Sequence, residues 1–554
     1  MRRRPTRGVV CASARGLELR GHPDDGSLRA ALRGRGDLAA GDVVTLRFEG
    51  RGRVVPEQRL GRIGDPELDF EALCDLHQLP RRFPAACLRE LETLPASDAG
   101  ADSRLDLRHL PLVTIDPLRA RDHDDAVFAE REGDGFRLWV AIADVSHYVT
   151  AGSALDREAR ARGNSVYLPE RVIPMLPEPL SGDLCSLRPE QDRLALAVEL
   201  HVGADGEPRR RQLALARVRS RAKLAYQQAA ACMEGGGDAD AALRASLGAL
   251  AEAARLLRER RVARGSLDLD LVEPEPVVDA AGRVVAIGRG VRTLAHRVIE
   301  EAMLAANRAV AELLVDADWP ALHRVHETPD PRELAGLEPV LAALGLWPGR
   351  MRRAPATEDL PGLVEAAREL GAPAVVHSLL VRAMRQARYA ELPLGHFALG
   401  FERYLHFTSP IRRYADLVVH RAVKAQLAGQ RPPRMRLAEL AEQLSLRERA
   451  AAQAEYQALD WKRAALLLPR VGELFDGRVA AIAPPGLFVT LDAVFGDGLV
   501  PARSLPRRAH LDLRRMTLSI GRERIGLGAA VQVRLVAVDP ARGRFRLALS
   551  NEGR

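Results

Sequence analysis

The sequence predicts a multidomain α+β protein, with a β-barrel at each end and an α/β domain between them. Short strand-like runs separated by Gly and Asp fill about the first 50 and the last 80 residues, and the long stretches of helical periodicity lie between them. The 554 residues suit roughly three or four domains at about 150 residues each. Hydrophobic residues make up 47% of the chain, so a sizeable folded core is expected.

The N-terminal part is predicted to be a small β-barrel followed by helices. Apolar runs at 8–11 and 43–48 are flanked by Gly and Asp, which is typical of short strands joined by turns. The segment 68–94 has a helical pattern with breaks at Pro80 and Pro84, since proline interrupts helices. The sequence therefore predicts one barrel and a helical connection before the central domain.

The central part is predicted to begin with a hairpin and to continue with long helices. Residues 126–130 and 136–143 are strand-like and are separated by a Gly-Asp-Gly turn at 133–135. Apolar residues at helical spacing follow this hairpin. They predict helices at 241–264, 294–314, 412–427 and 437–468.

The C-terminal part is predicted to be a five-stranded barrel of the OB kind. Such barrels often bind single-stranded nucleic acid. The strand-like runs that predict it are 477–482, 487–491, 531–538 and 545–549.

Four acids within ten residues are the most informative local feature: Asp116, Asp122, Asp124 and Asp125. Apolar runs lead into and out of this stretch, so the acids are expected at the junction of two strands. Clustered carboxylates repel one another and suit Mg²⁺ or Mn²⁺, and two such ions roughly 3.5–4 Å apart form a clamp for phosphodiester hydrolysis. A polar turn or a single calcium loop is the alternative, although an EF-hand would need Gly where Arg121 stands.

Three other residues are candidates for a binding or catalytic role. Tyr167 is predicted on a short strand before a Pro-rich loop, where it would stack on a base or, more commonly, join the core. Arg412 is predicted in the first turn of a helix, which suits a phosphate, but on the residues alone an ion pair with Asp416 is the simpler interpretation. Glu455 lies in mid-helix, where a Glu is usually solvated.

Charge and cysteine usage limit the compartment and the partners. The net charge is +8, and the first 60 residues carry 13 Arg against 7 acids, which favours a polyanionic partner. The five cysteines are scattered, without any C-x-x-C pair, which indicates a reducing compartment. The apolar segment near the N-terminus is short and no uncharged apolar window reaches 18 residues, so we expect a cytoplasmic protein without a membrane span.

Taken together, these segments resemble the ribonuclease II / ribonuclease R family of RNB-type exoribonucleases, with motifs closest to ribonuclease R. The resemblance covers nearly the whole chain, and the block His406-Phe-Thr-Ser-Pro-Ile-Arg-Arg-Tyr-Ala-Asp-Leu417 is its most specific part. The other matching blocks are Thr114–Val127, Asn164–Pro177, Leu184–Leu187, Gly265–Asp270 and His296–Asn307.

The resemblance implies a domain plan and a reaction. It implies a cold-shock-type OB barrel at 1–65, a helical linker at 66–105, an α/β RNB catalytic domain at 106–470 and an S1-type OB barrel at 471–554. The implied reaction is processive 3′-to-5′ hydrolysis of single-stranded RNA to nucleoside 5′-monophosphates, in RNA turnover, with two metal ions. Mg²⁺ is the expected cofactor and Mn²⁺ an acceptable one. A monomer is expected, and the sequence identifies no partner protein.

The resemblance also implies residue roles. The four acids would hold the metal ions, and loss of Asp124 should abolish turnover. Tyr167 would stack on the 3′-terminal nucleotide. Arg412 would stabilise the transition state, with Glu455 beside it, and this role takes precedence over an ion pair with Asp416.

The chain departs from the family pattern in three places. One barrel, rather than the usual two, fits before residue 65. His323 stands where the family often has an aromatic residue in the RNA-binding clamp. In the C-terminal barrel, Pro485 stands where the family has an aromatic residue and Pro501 where it usually has a histidine, so RNA stacking there would depend mainly on Phe488. A catalytically weak or inactive RNA-binding regulator, and a nuclease that prefers single-stranded DNA, are the alternatives.

Overall fold

The structure, a computed structural model, shows a central α/β domain with a small β-domain on each side of it along the chain. The residues that it describes are 7–13, 16–22, 28–32, 37–49, 53–94, 103–269, 273–347, 355–370, 373–430, 436–513 and 515–550.

The N-terminal domain is a five-stranded antiparallel sheet with the strand order β3-β2-β1-β4-β5. Its core is formed by Val10, Leu19 and Val44, which are buried between the strands. Among the described residues β3 and β5 are not paired, so the predicted barrel is partly open. The strands are β1 (Arg7–Ser13), β2 (Gly16–Gly21), β3 (Arg29–Ala31), β4 (Asp42–Glu49) and β5 (Arg53–Arg62).

Two helices connect this sheet to the central domain: α1 (Pro66–His77) and α2 (Ala85–Leu91). The Asp65 side chain caps α1 by accepting hydrogen bonds from the first turn, and a proline at the first helical position favours the same start. The predicted break is confirmed, because both Pro80 and Pro84 lie between the two helices.

The central domain is built on a seven-stranded sheet with the order β14-β7-β8-β9-β12-β13-β6. The predicted hairpin is β8–β9, and its register pairs Val127 with Val140. The strands of the domain are β6 (Leu105–Asp106), β7 (Val113–Asp116), β8 (Asp125–Glu132), β9 (Gly135–Ala143), β10 (Val166–Tyr167), β11 (Val172–Ile173), β12 (Asp192–Val202), β13 (Pro208–Arg219), β14 (Ala222–Ala225), β15 (Pro274–Val278), β16 (Val284–Arg289), β17 (His323–Val325) and β18 (Arg388–Ala390).

Helices cover both faces of this sheet, which explains why its middle strands are almost wholly apolar. On one face Val127 and Val140 pack into a core that includes α6 and α7, and on the other Ala126 and Ala141 pack into a core that includes α11. The helices are α3 (Val145–Tyr148), α4 (Ala154–Arg162), α5 (Tyr226–Met233), α6 (Ala241–Ala263), α7 (Leu294–Asp316), α8 (Pro331–Ala343), α9 (Leu360–Glu369), α10 (Pro373–Ala383), α11 (Tyr414–Leu427) and α12 (Leu437–Leu467).

The C-terminal domain is a closed barrel with the order β19-β20-β21-β26-β25. Its four predicted strands are present, and the fifth, β21, was missed because its sequence Gly-Asp-Gly-Leu-Val-Pro resembles a turn. The strands are β19 (Leu474–Ala483), β20 (Gly486–Leu491), β21 (Gly496–Pro501), β22 (Ala509–Asp512), β23 (Thr517–Ile520), β24 (Glu523–Gly526), β25 (Ala530–Asp539) and β26 (Arg544–Leu549).

A buried lysine on α12 joins three parts of the molecule. The Lys462 ammonium lies 2.8 Å from Asp69 Oδ2 on α1 and 2.6 Å from Glu170 Oε1 in the β10–β11 turn, and it donates to the Gly64 carbonyl at 3.1 Å. Two ion pairs and one hydrogen bond thus compensate the burial of this ammonium. The neighbouring Trp461 donates to the backbone of the C-terminal barrel, at the Ala541 carbonyl. No helix in the described ranges has both the length and the apolar character needed to cross a membrane.

Candidate active site

The sheet brings the ends of the acidic stretch to one edge of the central domain. Asp116 is the last residue of β7 and Asp125 is the first of β8, and these strands are antiparallel neighbours paired at Val113 and Val127. The eight residues 117–124 form the loop between them, which we call the acidic loop. The prediction that the acids lie at the junction of two strands is therefore confirmed.

Two of the acids are held in place by hydrogen bonds from nearby groups. Asp116 Oδ2 lies 2.7 Å from Nδ1 of His123, whose ring is buried. Asp124 is also buried, and its Oδ1 accepts a hydrogen bond from the backbone N–H of Ile411 at 2.8 Å. These contacts fix the orientation of both carboxylates without using all of their oxygen lone pairs.

Burial and mutual repulsion act on the pKa of two acids in the same direction. Burial raises the pKa of Asp124 well above its ordinary value, Asp122 and Asp125 raise it further, and Arg412 opposes them. The pKa of Asp125 rises to about 7, because of burial first and Asp116 second. Buried carboxylates that repel one another in this way are stabilised as anions by a nearby cation.

The acids fit a hard divalent cation by their chemistry, since all four side chains offer oxygen ligands. The described residues hold no preformed group of three or more His, Cys, Asp or Glu side chains arranged for a metal ion. The acids instead have separate partners, as Asp116 has in His123 and Asp122 in the hydroxyl of Tyr167. Metal binding by Asp116, Asp122, Asp124 and Asp125 thus stays a prediction.

Tyr167 links the acidic loop to the long helix α12. It lies on the predicted short strand, its hydroxyl donates to Asp122 Oδ2 at 3.3 Å, and its backbone N–H donates to Glu455 Oε1 at 2.7 Å. Tyr167 is 41% exposed, so it is not a core residue and can contact a ligand. Glu455 is half-buried and its carboxylate accepts the Tyr167 N–H, so it is not a solvated mid-helix residue, and burial raises the pKa of its carboxyl group.

Arg412 faces the acids from the segment before α11. Its Nε lies 3.7 Å from Asp124 Oδ2, and its guanidinium donates to the Ser409 hydroxyl at 2.9 Å. The side chain is 41% exposed, so one side of the guanidinium is accessible. The predicted helix start at 412 is wrong: α11 begins at Tyr414, and Arg412 precedes it.

The ion pair considered for Arg412 is formed by its neighbour. Arg413 donates to both carboxylate oxygens of Asp416, at 2.7 and 2.9 Å, and Asp416 also accepts the backbone N–H of Ser409. Asp416 is fully buried, so the bidentate pair and the Ser409 N–H hold the segment 409–413 against the first turn of α11. The alternative interpretation of Arg412 as the partner of Asp416 is therefore wrong.

A cavity of about 280 Å³ lies between Tyr167, Arg412 and α12. Its walls combine aromatic, cationic and acidic groups, which suits a ligand that has both a flat ring and negative charge. The cavity is lined by Gly163, Asn164, Ser165, Tyr167, Tyr389, Arg412, Arg413, Ala415, Leu444, Glu448, Ala451, Ala452 and Glu455.

Two further predicted RNA-binding residues lie away from this cavity. His323, on β17, is 3% exposed and does not line the cavity, and burial lowers the pKa of its imidazole to about 4. Phe488 lies on β20 between Leu487 and Val489, which point into the barrel core, so the Phe488 ring is on the outer face. It is half-buried there and pairs across the sheet with Leu499.

Tyr226 lies near Asp116 and Asp125, although the sequence analysis did not predict it there. It begins α5, directly after β14, whose last residue Ala225 pairs with Asp116. Burial raises the pKa of the Tyr226 hydroxyl, and the charges of Asp125 and Asp116 add to this effect. The ring stacks on His296 at 3.7 Å between centroids. Only the pairing of β14 with β7, a long-range contact, brings Tyr226 to the acids.

The chain matches two domain families over most of its length. Residues 104–429, more than half of the chain, match the RNB domain, and residues 468–550 match the S1 RNA binding domain. The chain belongs to the RNB family. This RNB protein therefore has the predicted fold class, a central RNB domain followed by a C-terminal S1-type barrel.

Curated relatives and solved structures agree with this assignment. The RNB protein is 38% identical over 487 residues to Ribonuclease R of Escherichia coli strain K12, which covers 84% of this chain and 60% of that one. It is 36% identical to Ribonuclease R of Aquifex aeolicus, over 92% of this chain and 75% of the relative. The chain thus spans roughly two thirds of the length of such relatives.

The apo form of Mycoplasma genitalium RNase R superposes with a TM-score of 0.84 at 27% identity, covering 99% of this chain and 90% of that one. That protein has also been solved with ribose methylated single-stranded RNA and with double-stranded RNA.

Proposed function

We propose that this chain is a processive 3′-to-5′ exoribonuclease that hydrolyses single-stranded RNA to nucleoside 5′-monophosphates. The observation that carries the proposal is the approach of Arg412 to within 3.7 Å of Asp124, beside a cavity walled by Tyr167. An acid-rich edge, a partly exposed guanidinium and an accessible aromatic ring suit phosphodiester cleavage at a strand end, because they can position a terminal nucleotide and stabilise developing negative charge.

In this proposal Asp116, Asp122, Asp124 and Asp125 hold divalent cations, Mg²⁺ or alternatively Mn²⁺. Such cations supply Lewis acidity and an activated water for phosphodiester hydrolysis. The protein's own contribution is orientation: His123 directs the Asp116 carboxylate, and the Ile411 N–H directs that of Asp124. Carboxylates that are already oriented need to move less when the cations and the substrate bind.

Arg412 and Tyr167 act on the substrate itself. The Arg412 guanidinium, steadied by the Ser409 hydroxyl, neutralises the charge that develops on the phosphoryl oxygens. The Tyr167 ring stacks on the 3′-terminal base, which positions the terminal phosphodiester at the acids. Glu455 acts indirectly, by holding the Tyr167 backbone.

The domain plan supports a single-stranded RNA substrate. We assign RNA binding to the barrels at 1–65 and 471–554, catalysis to 106–470, and a linking role to 66–105. RNA is the ligand in two structures of the Mycoplasma genitalium relative, and the S1 domain is described as RNA-binding. Phe488 would supply a stacking surface on the C-terminal barrel. We further propose a cytoplasmic monomer that acts in RNA turnover.

There are two alternative functions. One is a catalytically weak or inactive RNA-binding regulator, and the other is a nuclease that prefers single-stranded DNA. An inactive core would not need the acids or the guanidinium, yet all four acids and Arg412 are present, and hydrogen bonds orient Asp124 and Arg412. This favours the enzyme over the regulator.

The proposal is tested with a 5′-labelled single-stranded RNA, the purified protein and Mg²⁺, beside a DNA of the same sequence. We expect the RNA to shorten from its 3′ end and EDTA to stop the reaction. A second, uniformly labelled RNA should release 5′-monophosphates, which thin-layer chromatography identifies. Internal cuts in the RNA contradict the exonuclease. Binding without any shortening favours the regulator, and faster loss of the DNA favours the deoxyribonuclease.

A further inference from the structure

A buried serine outside the acidic loop bonds to both sides of Asp122. The Ser186 hydroxyl donates to the Arg121 carbonyl at 2.7 Å and accepts the backbone N–H of His123 at 3.0 Å. The next residue, Leu187, donates its N–H to the His123 carbonyl at 3.0 Å. Ser186 is fully buried, so its one hydroxyl has no competition from solvent for these two partners.

A lysine on β14 holds the other half of the same loop. The Lys223 ammonium donates to the carbonyls of Leu118, at 3.1 Å, and Ala120, at 2.6 Å. The chain has only three lysines among 82 Lys and Arg residues, and Lys223 is one of them. A compact ammonium has three N–H donors and no acceptor, so it can bond to both carbonyls at once.

Together the two side chains fix four backbone groups of the acidic loop, at residues 118, 120, 121 and 123. Neither has a hydrogen bond to an acid oxygen among the contacts within the described residues, so each acts on the acids only through the backbone. The loop has no helix or strand of its own to define its shape. Its conformation, and so the direction of Asp122 and Asp124, depends on these tethers.

We propose that Ser186 and Lys223 are positioning residues that, through the acidic loop, set the affinity of the four acids for divalent cations. This inference rests on the proposed function, because that proposal assigns cation binding to the four acids. Groups that orient metal ligands from outside typically change metal affinity or activity by about 10- to 100-fold when they are removed. We expect a change of this size from Ser186→Ala and from Lys223→Met.

The test measures Mn²⁺ binding directly, from the electron paramagnetic resonance signal of free Mn²⁺ during titration of the full chain. Ser186→Ala and Lys223→Met should each weaken binding by about 10-fold or more. The matched control is Ser246→Ala, which removes another buried serine hydroxyl that accepts a backbone N–H, that of Ala129, away from the loop. It should bind Mn²⁺ like the wild type, although it too loses a hydrogen bond.

A kinetic readout separates positioning from general loss of structure. The Mg²⁺ concentration for half-maximal RNA hydrolysis should rise in both variants, while the KM for RNA at saturating Mg²⁺ stays unchanged. A merely structural defect would instead lower activity at every Mg²⁺ concentration and lower the thermal midpoint in step. If Ser186→Ala fails to fold, the partly exposed Lys223 still allows the test, because the two carbonyls that it contacts lie in an exposed or half-buried part of the loop.

Unchanged Mn²⁺ affinity in a folded Lys223→Met or Ser186→Ala variant overturns the inference. A wild type that binds no Mn²⁺ overturns it together with the metal assignment. If the wild type binds Mn²⁺, and the variants bind it more weakly, but no RNA is hydrolysed, the inference holds and the proposed function fails.

Discussion

Glu455 on α12 accepts a hydrogen bond from the backbone N–H of Tyr167, at 2.7 Å between Oε1 and N, across 288 residues of sequence. Tyr167 lies on a strand of only two residues, which cannot fix its own position. The neighbouring turn is held to the same helix through the Glu170–Lys462 ion pair. Helix α12 therefore acts as the support on which the candidate base-stacking residue is placed.

We predict that Glu455→Ala weakens RNA binding by about tenfold or more, because a hydrogen bond to a charged group contributes about 1.5–3 kcal/mol. Glu455→Gln keeps an acceptor oxygen at the same place and should lose much less. Fluorescence anisotropy with a labelled RNA checks this, in an Asp124→Asn background that prevents cleavage. The control is Glu442→Ala, an exposed glutamate on the same helix. Equal weakening by the Ala and Gln variants would contradict the prediction.

Two adjacent arginines should have opposite phenotypes. Arg412→Ala should lower kcat by about 10²–10³-fold with little change in the free energy of unfolding, since the side chain is half-exposed and faces the substrate. Arg413→Ala leaves the buried Asp416 carboxylate without its partner and should cost about 3–5 kcal/mol of stability. Steady-state kinetics and urea unfolding of both variants give the comparison. A stable Arg413→Ala protein would count against the assigned ion pair.

The buried imidazole of His323 should make the protein less stable in acid. Burial lowers the pKa of His323 to about 4, whereas an unfolded histidine titrates near 6.5. Between these values the unfolded chain binds a proton that the native chain does not, so stability falls as the pH drops from 6.5, by at most about 3 kcal/mol for this residue. In His323→Phe the pH dependence of the unfolding free energy should be shallower between pH 6.5 and 5.

Urea unfolding at several pH values in this range measures how much His323 contributes to the pH dependence of the unfolding free energy. The exposed His109, replaced by Gln, is the control for the loss of a histidine. A steeper dependence in His323→Phe would mean that the imidazole is protonated in the native state.

The C-terminal barrel offers a test of stacking against charge. Phe488, Leu499 and Arg546 are cross-strand neighbours on β20, β21 and β26. Phe488→Ala should weaken RNA binding by about 1–3 kcal/mol and leave its salt dependence unchanged, since stacking releases no counterions. Arg546→Gln should instead reduce the slope of log affinity against log salt by about one. Titrations at four salt concentrations distinguish them, and a lower slope for Phe488→Ala is the contrary result.

Local patterns in the sequence predicted the elements that local forces determine. The 3.6-residue spacing placed α6, α7 and α12 to within two residues at each end, and the apolar runs on both sides of Asp116 and Asp125 placed the acids between two strands. These features depend on side chains near one another along the chain, so they can be detected without tertiary contacts.

Long-range contacts determined what the sequence could not predict. Arg413 is extended rather than helical because it forms a β-bridge with Asn164, so α11 begins at Tyr414 instead of 412. The same constraint turns Arg413, and not Arg412, toward Asp416. The pairing of β14 with β7 brings Tyr226 near the acids and Lys223 to the acidic loop, and the segment after residue 184 brings Ser186 to that loop. No spacing rule connects such distant positions.

The most direct test of the central claim, that the acidic loop with Arg412 hydrolyses RNA from the 3′ end, is a single-turnover assay of Asp124→Asn. Saturating protein is mixed with a 5′-labelled single-stranded RNA and Mg²⁺, and RNA affinity is measured in parallel. We predict that the rate of 3′-end shortening falls by roughly a thousandfold or more, equivalent to about 4 kcal/mol in the barrier, while RNA affinity changes little. Shortening at the wild-type rate by Asp124→Asn would contradict the account.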